Sequence, residues 1–261
     1  MGKNSGLQGE NMSELTGLYA IWKREFKVFL REKSRIFAST FSPLLWLFIF
    51  GAGLGARFSV SDIPYQNWIY PGIIVMATLF SSIFYGAYVI WDKRLDFLKE
   101  VLVSPVKRST IFLGKVLGGV TDALIQATIL LLFAPFFGVN FGLSFILIYV
   151  FLFVLVIGLV SIGLIIGSIM ESPEGFGLIT SFVNTPLFFL SGALFSLESL
   201  PAWLTIFTRI NPVTYGVDAI RGLMIGGNTF NLFFDFVILL GFSLVMILIG
   251  TYAFRRMKLK P

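Results

Sequence analysis

This chain of 261 residues is 56% hydrophobic and only 13% charged, whereas average globular proteins carry roughly 25% charged residues, so a water-soluble fold is excluded. It contains no Cys and no His, which excludes disulfides, thiolate chemistry, His-based metal sites and Ser-His-Asp catalysis. The net charge of +6 lies in short segments between apolar runs, so we expect contact with lipid headgroups and not with nucleic acid.

Six apolar stretches are long enough to cross roughly 30 Å of hydrocarbon. They predict an all-α membrane protein with transmembrane helices at about 36–56, 68–91, 111–138, 143–170, 176–197 and 232–254. We expect residues 13–256 to form one transmembrane domain. Residues 1–12, rich in Gly, Asn and Ser, are predicted to be disordered, and 257–261 to be a cytoplasmic tail.

The basic residues predict the orientation in the membrane. All of the 20 Lys and Arg except Arg57, Arg209 and Arg221 lie before the first span, between the second span and the start of the third (which includes Lys115), or after the sixth. Because cytoplasmic segments carry an excess of Lys and Arg, both termini are predicted to be cytoplasmic. We expect a multi-pass protein of the cell (inner or plasma) membrane.

Residues 13–35 predict a basic amphipathic helix. Leu18, Trp22 and Phe26 recur at helical spacing, Lys and Arg occupy the other side, and Ser13 is a suitable N-cap. Such a helix is expected to lie in the membrane interface. It is either a plain anchor or a surface for a cytoplasmic partner, and the two interpretations are compatible.

Residues 92–109 predict a short cytoplasmic helix with a small apolar stripe and charges of both signs, ended by Ser104-Pro105. It is either a connector or a helix that projects into a partner's groove. The turn Glu171–Gly175 is either a simple tight turn or a second, minor contact. The candidate contact residues are Leu95, Asp96, Leu98, Lys99, Glu100 and Glu171.

Residues 198–231 predict two short apolar helices, separated at Asn211-Pro212, that dip into the outer leaflet as re-entrant helices. Asp218 and Arg221 are three residues apart and are expected to be able to pair. The segment is either a packing lid or an exit gate. The candidate gate residues are Trp203, Asn211, Pro212, Tyr215, Asp218 and Arg221.

The sequence contains no G-x-x-x-x-G-K-[ST] motif, so the chain cannot cradle ATP phosphates and no cofactor of its own is expected. Asp122 is the one acid well inside a predicted span. We expect it to be satisfied by Lys115, seven residues earlier, or by neighbouring Ser and Thr; a role in coupling is the alternative. The uncharged spans favour an amphiphilic or apolar cargo.

Three motifs carry a family resemblance. Ser191-Gly192-Ala193-Leu194-Phe195, Leu200-Pro201-Ala202-Trp203-Leu204 and Asn211–Arg221 resemble the "SG-x-hydrophobic-F … LP-x-W … NP-x-T-Y … D-x-x-R" signature of ABC-2 type transporter permeases. Ser104–Arg108 with Gly114-Lys115 resembles that family's "SP-x-x-R … GK" element. The resemblance extends over about 14–256. Within the family, the motif at 191–221 is most similar to that of the drug and lipo-oligosaccharide branch.

The resemblance implies a permease subunit of an ATP-driven exporter, in which two ATPase chains bind ATP and a second permease, identical or different, completes the pathway. The cargo would be a drug, a lipid-linked sugar or a polysaccharide. Residues 92–104 would be the coupling helix, 200–224 would shape the exit, and spans one, two and five would line the seam. An ion-coupled carrier or channel is the main alternative, followed by an intramembrane enzyme and a scaffold.

Overall fold

A computed structural model describes residues 4–55, 59–60, 63–95, 106–139, 142–197 and 200–257. These residues are helical except for short turns and one hairpin, in which β1 (Ser59–Val60) pairs antiparallel with β2 (Ile63–Pro64). The helices are α1 (Asn4–Arg31), α2 (Lys33–Gly55), α3 (Tyr65–Phe84), α4 (Ala87–Arg94), α5 (Arg108–Phe133), α6 (Phe145–Ile169), α7 (Pro173–Phe189), α8 (Ala202–Ile210), α9 (Pro212–Ile225) and α10 (Leu232–Arg256).

Four helical stretches of the described chain are long and apolar enough to cross a membrane: Tyr65–Arg94, Arg108–Phe137, Phe145–Ile169 and Leu232–Arg256. They coincide with the predicted second, third, fourth and sixth spans. The first predicted span corresponds to α2 and the fifth to α7, but α7 ends at Phe189 and not at residue 197. The chain turns there through Gly192, whose φ of 72° lies in the left-handed region that glycine adopts without strain.

Helix α1 begins at Asn4, upstream of Ser13, the predicted N-cap, and so includes most of the segment expected to be disordered. It packs along α5, where the Trp22 indole donates a 3.0 Å hydrogen bond to Thr121. Lys23 and Lys27 are exposed, as an amphipathic helix requires.

Helix α3 is the centre of the domain and packs against α2, α5, α6, α7 and α9. The break between α3 and α4 crosses α6 backbone to backbone: a Cβ added to Gly86 would lie 1.9 Å from the carbonyl oxygen of Gly163. A Cβ on Gly167 would lie 2.2 Å from the carbonyl oxygen of Gly86. Small residues permit such close contacts between membrane helices.

Candidate functional site

Four charged side chains form a buried group, called here the charge cluster: Arg24 and Glu25 of α1, Asp92 of α4 and Lys115 of α5. Lys115 Nζ lies 2.8 Å from Glu25 Oε1 and also bonds Asp92, and Arg24 Nη2 lies 2.7 Å from Asp92 Oδ1. The Tyr85 hydroxyl, at the α3–α4 break, donates to Glu25 over 2.9 Å. The cluster therefore ties three helices together with two cations and two anions.

The four charges of the cluster can be buried because each cation is paired with an anion, whereas an unpaired buried charge would be strongly destabilising. Arg24 is the most exposed member, with 31% of its side chain accessible. Burial lowers the pKa of the Arg24 guanidinium, but the hydrogen bond and charge of Asp92 outweigh it and raise that pKa above its ordinary value. Asp92 therefore holds Arg24 in its charged form.

The expected pairing of Lys115 with Asp122 is wrong. Seven residues advance a helix by about 10 Å, so the two side chains of α5 reach different neighbours. Lys115 faces α1 and α4, whereas Asp122 Oδ2 lies 2.9 Å from Arg35 Nη2 of α2. Asp122 thus forms an ion pair with a basic residue from another helix.

Lys93 links α4 to the end of α6. Its ammonium donates to the carbonyl oxygens of Gly167 and Met170 over 3.0 and 3.2 Å, which satisfies carbonyls that a helix end leaves free. The exposed Glu171 interacts electrostatically with this ammonium. Leu95, two residues beyond Lys93, is 72% exposed. Two segments predicted to contact a partner are therefore held beside each other.

The remaining predicted contact residues, Asp96, Leu98, Lys99 and Glu100, lie outside the described residues.

Asn211 and Tyr215 fix the break between α8 and α9. Asn211 Oδ1 accepts from the Val213 amide over 3.0 Å and caps α9, while its Nδ2 donates to the Leu187 carbonyl of α7 over 2.7 Å. The Tyr215 hydroxyl donates to the Arg209 carbonyl over 2.7 Å. Both side chains are buried and hold the two short helices against α7.

Asp218 and Arg221 have separate partners instead of the expected pairing. Asp218 accepts from the amides of Thr229 and Phe230 over 2.7 and 2.8 Å. Arg221 donates to the Gly192 carbonyl over 2.9 Å, and its guanidinium lies 3.8 Å from the centre of the Trp68 ring.

Of the other predicted gate residues, Pro212 is half-buried and Trp203 is 64% exposed. The buried contacts of Asn211, Tyr215, Asp218 and Arg221 favour the packing interpretation for those four residues. A gate role for the segment stays a prediction.

A cavity of about 590 Å³, called here the chamber, lies among α2, α3, α5 and α7. Its apolar wall is largely aromatic and includes Trp46, Phe80 and Phe188. Polar side chains line the rest, among them Ser39, Gln126 and Asn184. This mixture of apolar surface and a few convergent polar groups is typical of a small-molecule binding site.

Two chamber side chains carry hydrogen-bond acceptors without a partner among the described residues. Gln126 donates through Nε2 to the Ser39 carbonyl, while its Oε1 is buried and unpartnered. Asn184 Oδ1 is likewise buried and unpartnered. Since an unsatisfied buried oxygen costs about 1–3 kcal/mol, these two positions favour a ligand that donates hydrogen bonds.

Sequence reasoning missed Glu25, Gln126 and Asn184. The available signals were weak: Glu25 is one of three acids in the basic segment 13–35, and the two amides are polar residues within apolar runs.

Buried ion pairs among apolar membrane helices, and a cavity that joins an aromatic wall to a few polar groups, are features expected of a membrane permease. Residues 16–225 match the family model described as ABC-2 type transporter, and the chain belongs to that family.

The chain is also similar to individual permeases. It is 30% identical to "Putative transport permease ycf38" of Cyanophora paradoxa over 94% of this chain and 90% of that protein. It is 30% identical to "Inner membrane transport permease YadH" of Escherichia coli K12, covering 89% and 92% of the two chains. It is 27% identical to "Nodulation protein J" of Rhizobium meliloti, covering 79% and 80%. The protein is a non-catalytic transport subunit located in a membrane.

Proposed function

We propose that this chain is the permease subunit of an ATP-driven exporter that moves an amphiphilic cargo out of the cytoplasm. Family membership implies an ABC transporter system with an ATPase partner. We assign two ATPase copies and a second permease to the assembly, and six spans with both termini cytoplasmic to this chain. In that arrangement α2 and α7 are the first and fifth spans beside the four candidate spans.

The observation that carries the proposal is the chamber. It lies among α2, α3 and α7, the first, second and fifth spans, with α5 contributing Gln126. These are the spans expected to line the seam between two permeases. Exposed side chains on α2 and α7, such as Phe41 and Phe182, would then meet the second permease or lipid. The aromatic wall and the polar groups suit an amphiphile better than a small ion.

Energy would enter through residues 92–104. The ATPase draws this segment along when it closes on ATP, because ATP binds the closed ATPase dimer more tightly than the open one. Asp92 stands at the start of the segment and is bonded to both Lys115 and Arg24. A displacement of Asp92 is therefore transmitted to α1 and α5 and changes the chamber between the spans.

Reversal of both charges on the coupling segment, Asp96→Lys with Lys99→Asp, tests the proposal. We expect loss of ATP-stimulated transport while the amount of permease in the membrane stays normal. The charge-preserving pair Asp96→Glu with Lys99→Arg is the matched control and should transport normally. Wild-type transport by the reversed pair would count against the coupling segment.

The alternative is an ion-coupled carrier or channel. It predicts transport by the permease in liposomes without any ATPase chain, which the proposal excludes.

A further inference from the structure

A second cavity of about 400 Å³, called here the vestibule, lies between the end of α1, the start of α2 and α4. Its lining joins apolar surface, including Val28 and Trp91, to charged groups. It extends to Leu95, the last described residue before the coupling segment.

The vestibule and the chamber meet at two residues, Arg35 and Phe84, which line both cavities. Arg35 is held in place, because it pairs with Asp122 over 2.9 Å and stacks on Tyr88 with 4.8 Å between guanidinium and ring centre. Phe84 has no comparable anchor in the part of the chain that the structure describes: the residue is 53% exposed, and its aromatic contact there is an edge contact with Phe176 at 6.2 Å. Of the two junction residues, Phe84 is the one free to swing.

The charges along this route select the polar end of a ligand. Arg24 and Arg35 are balanced in the vestibule lining by Glu32 and Asp92, so the cavity offers no net positive charge to an anion. In the chamber beyond, the unpartnered oxygens of Gln126 and Asn184 need hydrogen-bond donors. At these two oxygens an anionic headgroup would meet acceptors, whereas an amine or hydroxyl would satisfy them. Arg35, which also lines the chamber, is already paired with Asp122.

We propose that the vestibule is the entry site for the cargo and that Phe84 separates it from the chamber. The cargo class is an amphiphile with a flat or aliphatic apolar body and a hydrogen-bond-donating, non-anionic polar end. This inference deepens the proposed function and rests on it for its biological meaning. The binding steps need no ATP, so they can be tested apart from transport.

Single cysteines test the route, because the natural chain has no Cys and gives no background reaction. Val28→Cys reports on the vestibule and Thr180→Cys, at a buried chamber position, reports beyond the junction. A cationic, membrane-impermeant methanethiosulfonate is added to the cytoplasmic face of membranes containing the full-length chain. We expect both cysteines to react, while Ile169→Cys, exposed but outside both cavities, serves as the reference.

A bulkier ring at the junction should close the route. Phe84→Trp is expected to slow labelling of Thr180→Cys by about tenfold, the effect of about 1.4 kcal/mol on a barrier, and to leave Val28→Cys unchanged. Phe84→Ala should speed the labelling of Thr180→Cys. Phe80→Trp, which adds the same bulk within the chamber lining but away from the junction, is the matched control. Equal labelling in Phe84→Trp, Phe84→Ala and wild type would overturn the route.

Two dyes with nearly the same ring system test the cargo class. Nile blue is a cation with an amine donor, and Nile red is neutral with a carbonyl acceptor in its place, so the comparison is made in the wild type and in Asn184→Leu, which removes the acceptor without changing the charge of the chamber. We expect Nile blue to protect Thr180→Cys at concentrations about tenfold lower than Nile red, as one satisfied buried acceptor predicts. Asn184→Leu should remove that difference.

Equal protection by both dyes, or stronger protection by an anionic dye such as anilinonaphthalene sulfonate, would overturn the cargo class. If protection behaves as expected but ATP drives no transport, the proposed function fails and the binding route stands.

Discussion

Lys115 Nζ and Glu25 Oε1 are 2.8 Å apart, and only 2% of each side chain is exposed. The two residues are 90 positions apart in sequence, on α5 and α1, so this contact fixes the N-terminal helix to the core of the domain. The same ammonium bonds Asp92 on α4. One buried cation therefore connects the peripheral helix to the helix that leads into the coupling segment.

Removal of the Lys115 ammonium should strongly destabilise the fold. Lys115→Met leaves Glu25 and Asp92 without their shared partner, and breaking a buried pair in this way costs about 3–5 kcal/mol. Thermal unfolding of the purified permease in detergent should show a large fall in midpoint. Arg24→Gln removes a partly exposed member and should cost less, about 1 kcal/mol. Equal midpoints for Lys115→Met and wild type would show that the cluster is not a structural tie.

An alanine at Gly86, where the break between α3 and α4 crosses α6, should also destabilise the fold. The added Cβ of Gly86→Ala would lie 1.9 Å from a backbone oxygen, and overpacking of this kind costs about 1–3 kcal/mol. Gly241→Ala on α10 is the control, because no described atom lies within 4 Å of its Cβ. That variant should be neutral or slightly stabilising, since alanine favours helix. A Gly86→Ala protein as stable as Gly241→Ala would contradict the close crossing.

Two aspartates in the outer region should respond to Asn substitution in opposite ways. Asp235 is 0% exposed, and neither carboxylate oxygen has a hydrogen-bond partner among the described residues. Asp235→Asn therefore removes a buried acid and should leave the unfolding midpoint unchanged or raise it. Asp218→Asn loses one of two acceptors for backbone amides and should cost about 1–3 kcal/mol. A marked fall of the unfolding midpoint in Asp235→Asn alone would point to a partner for that carboxylate in the assembled transporter.

The apolar runs and the 191–221 motif were sufficient to predict helices and family, because these signals are local. Predicting Asn211 as a helix break also worked, since Asn-Pro sets the backbone by itself. The pairing of Lys115 failed because three acids were within plausible reach, and only the packing of α1 and α4 against α5 decides among them. Gln126 and Asn184 converge from helices distant in sequence, so no spacing rule could bring them together. The turn after α7 includes a hydrogen bond from Arg221 to the Gly192 carbonyl, a tertiary contact that the local sequence does not reveal.

ATP-dependent dye uptake into inverted membrane vesicles tests the central claim most directly. The vesicles contain this permease with its ATPase partner, and Nile blue is the transported probe. We predict accumulation that requires ATP, that disappears when the phosphate-binding lysine of the ATPase is substituted, and that Asp96→Lys with Lys99→Asp abolishes. Accumulation by the permease alone, driven by an ion gradient without any ATPase, would contradict the account.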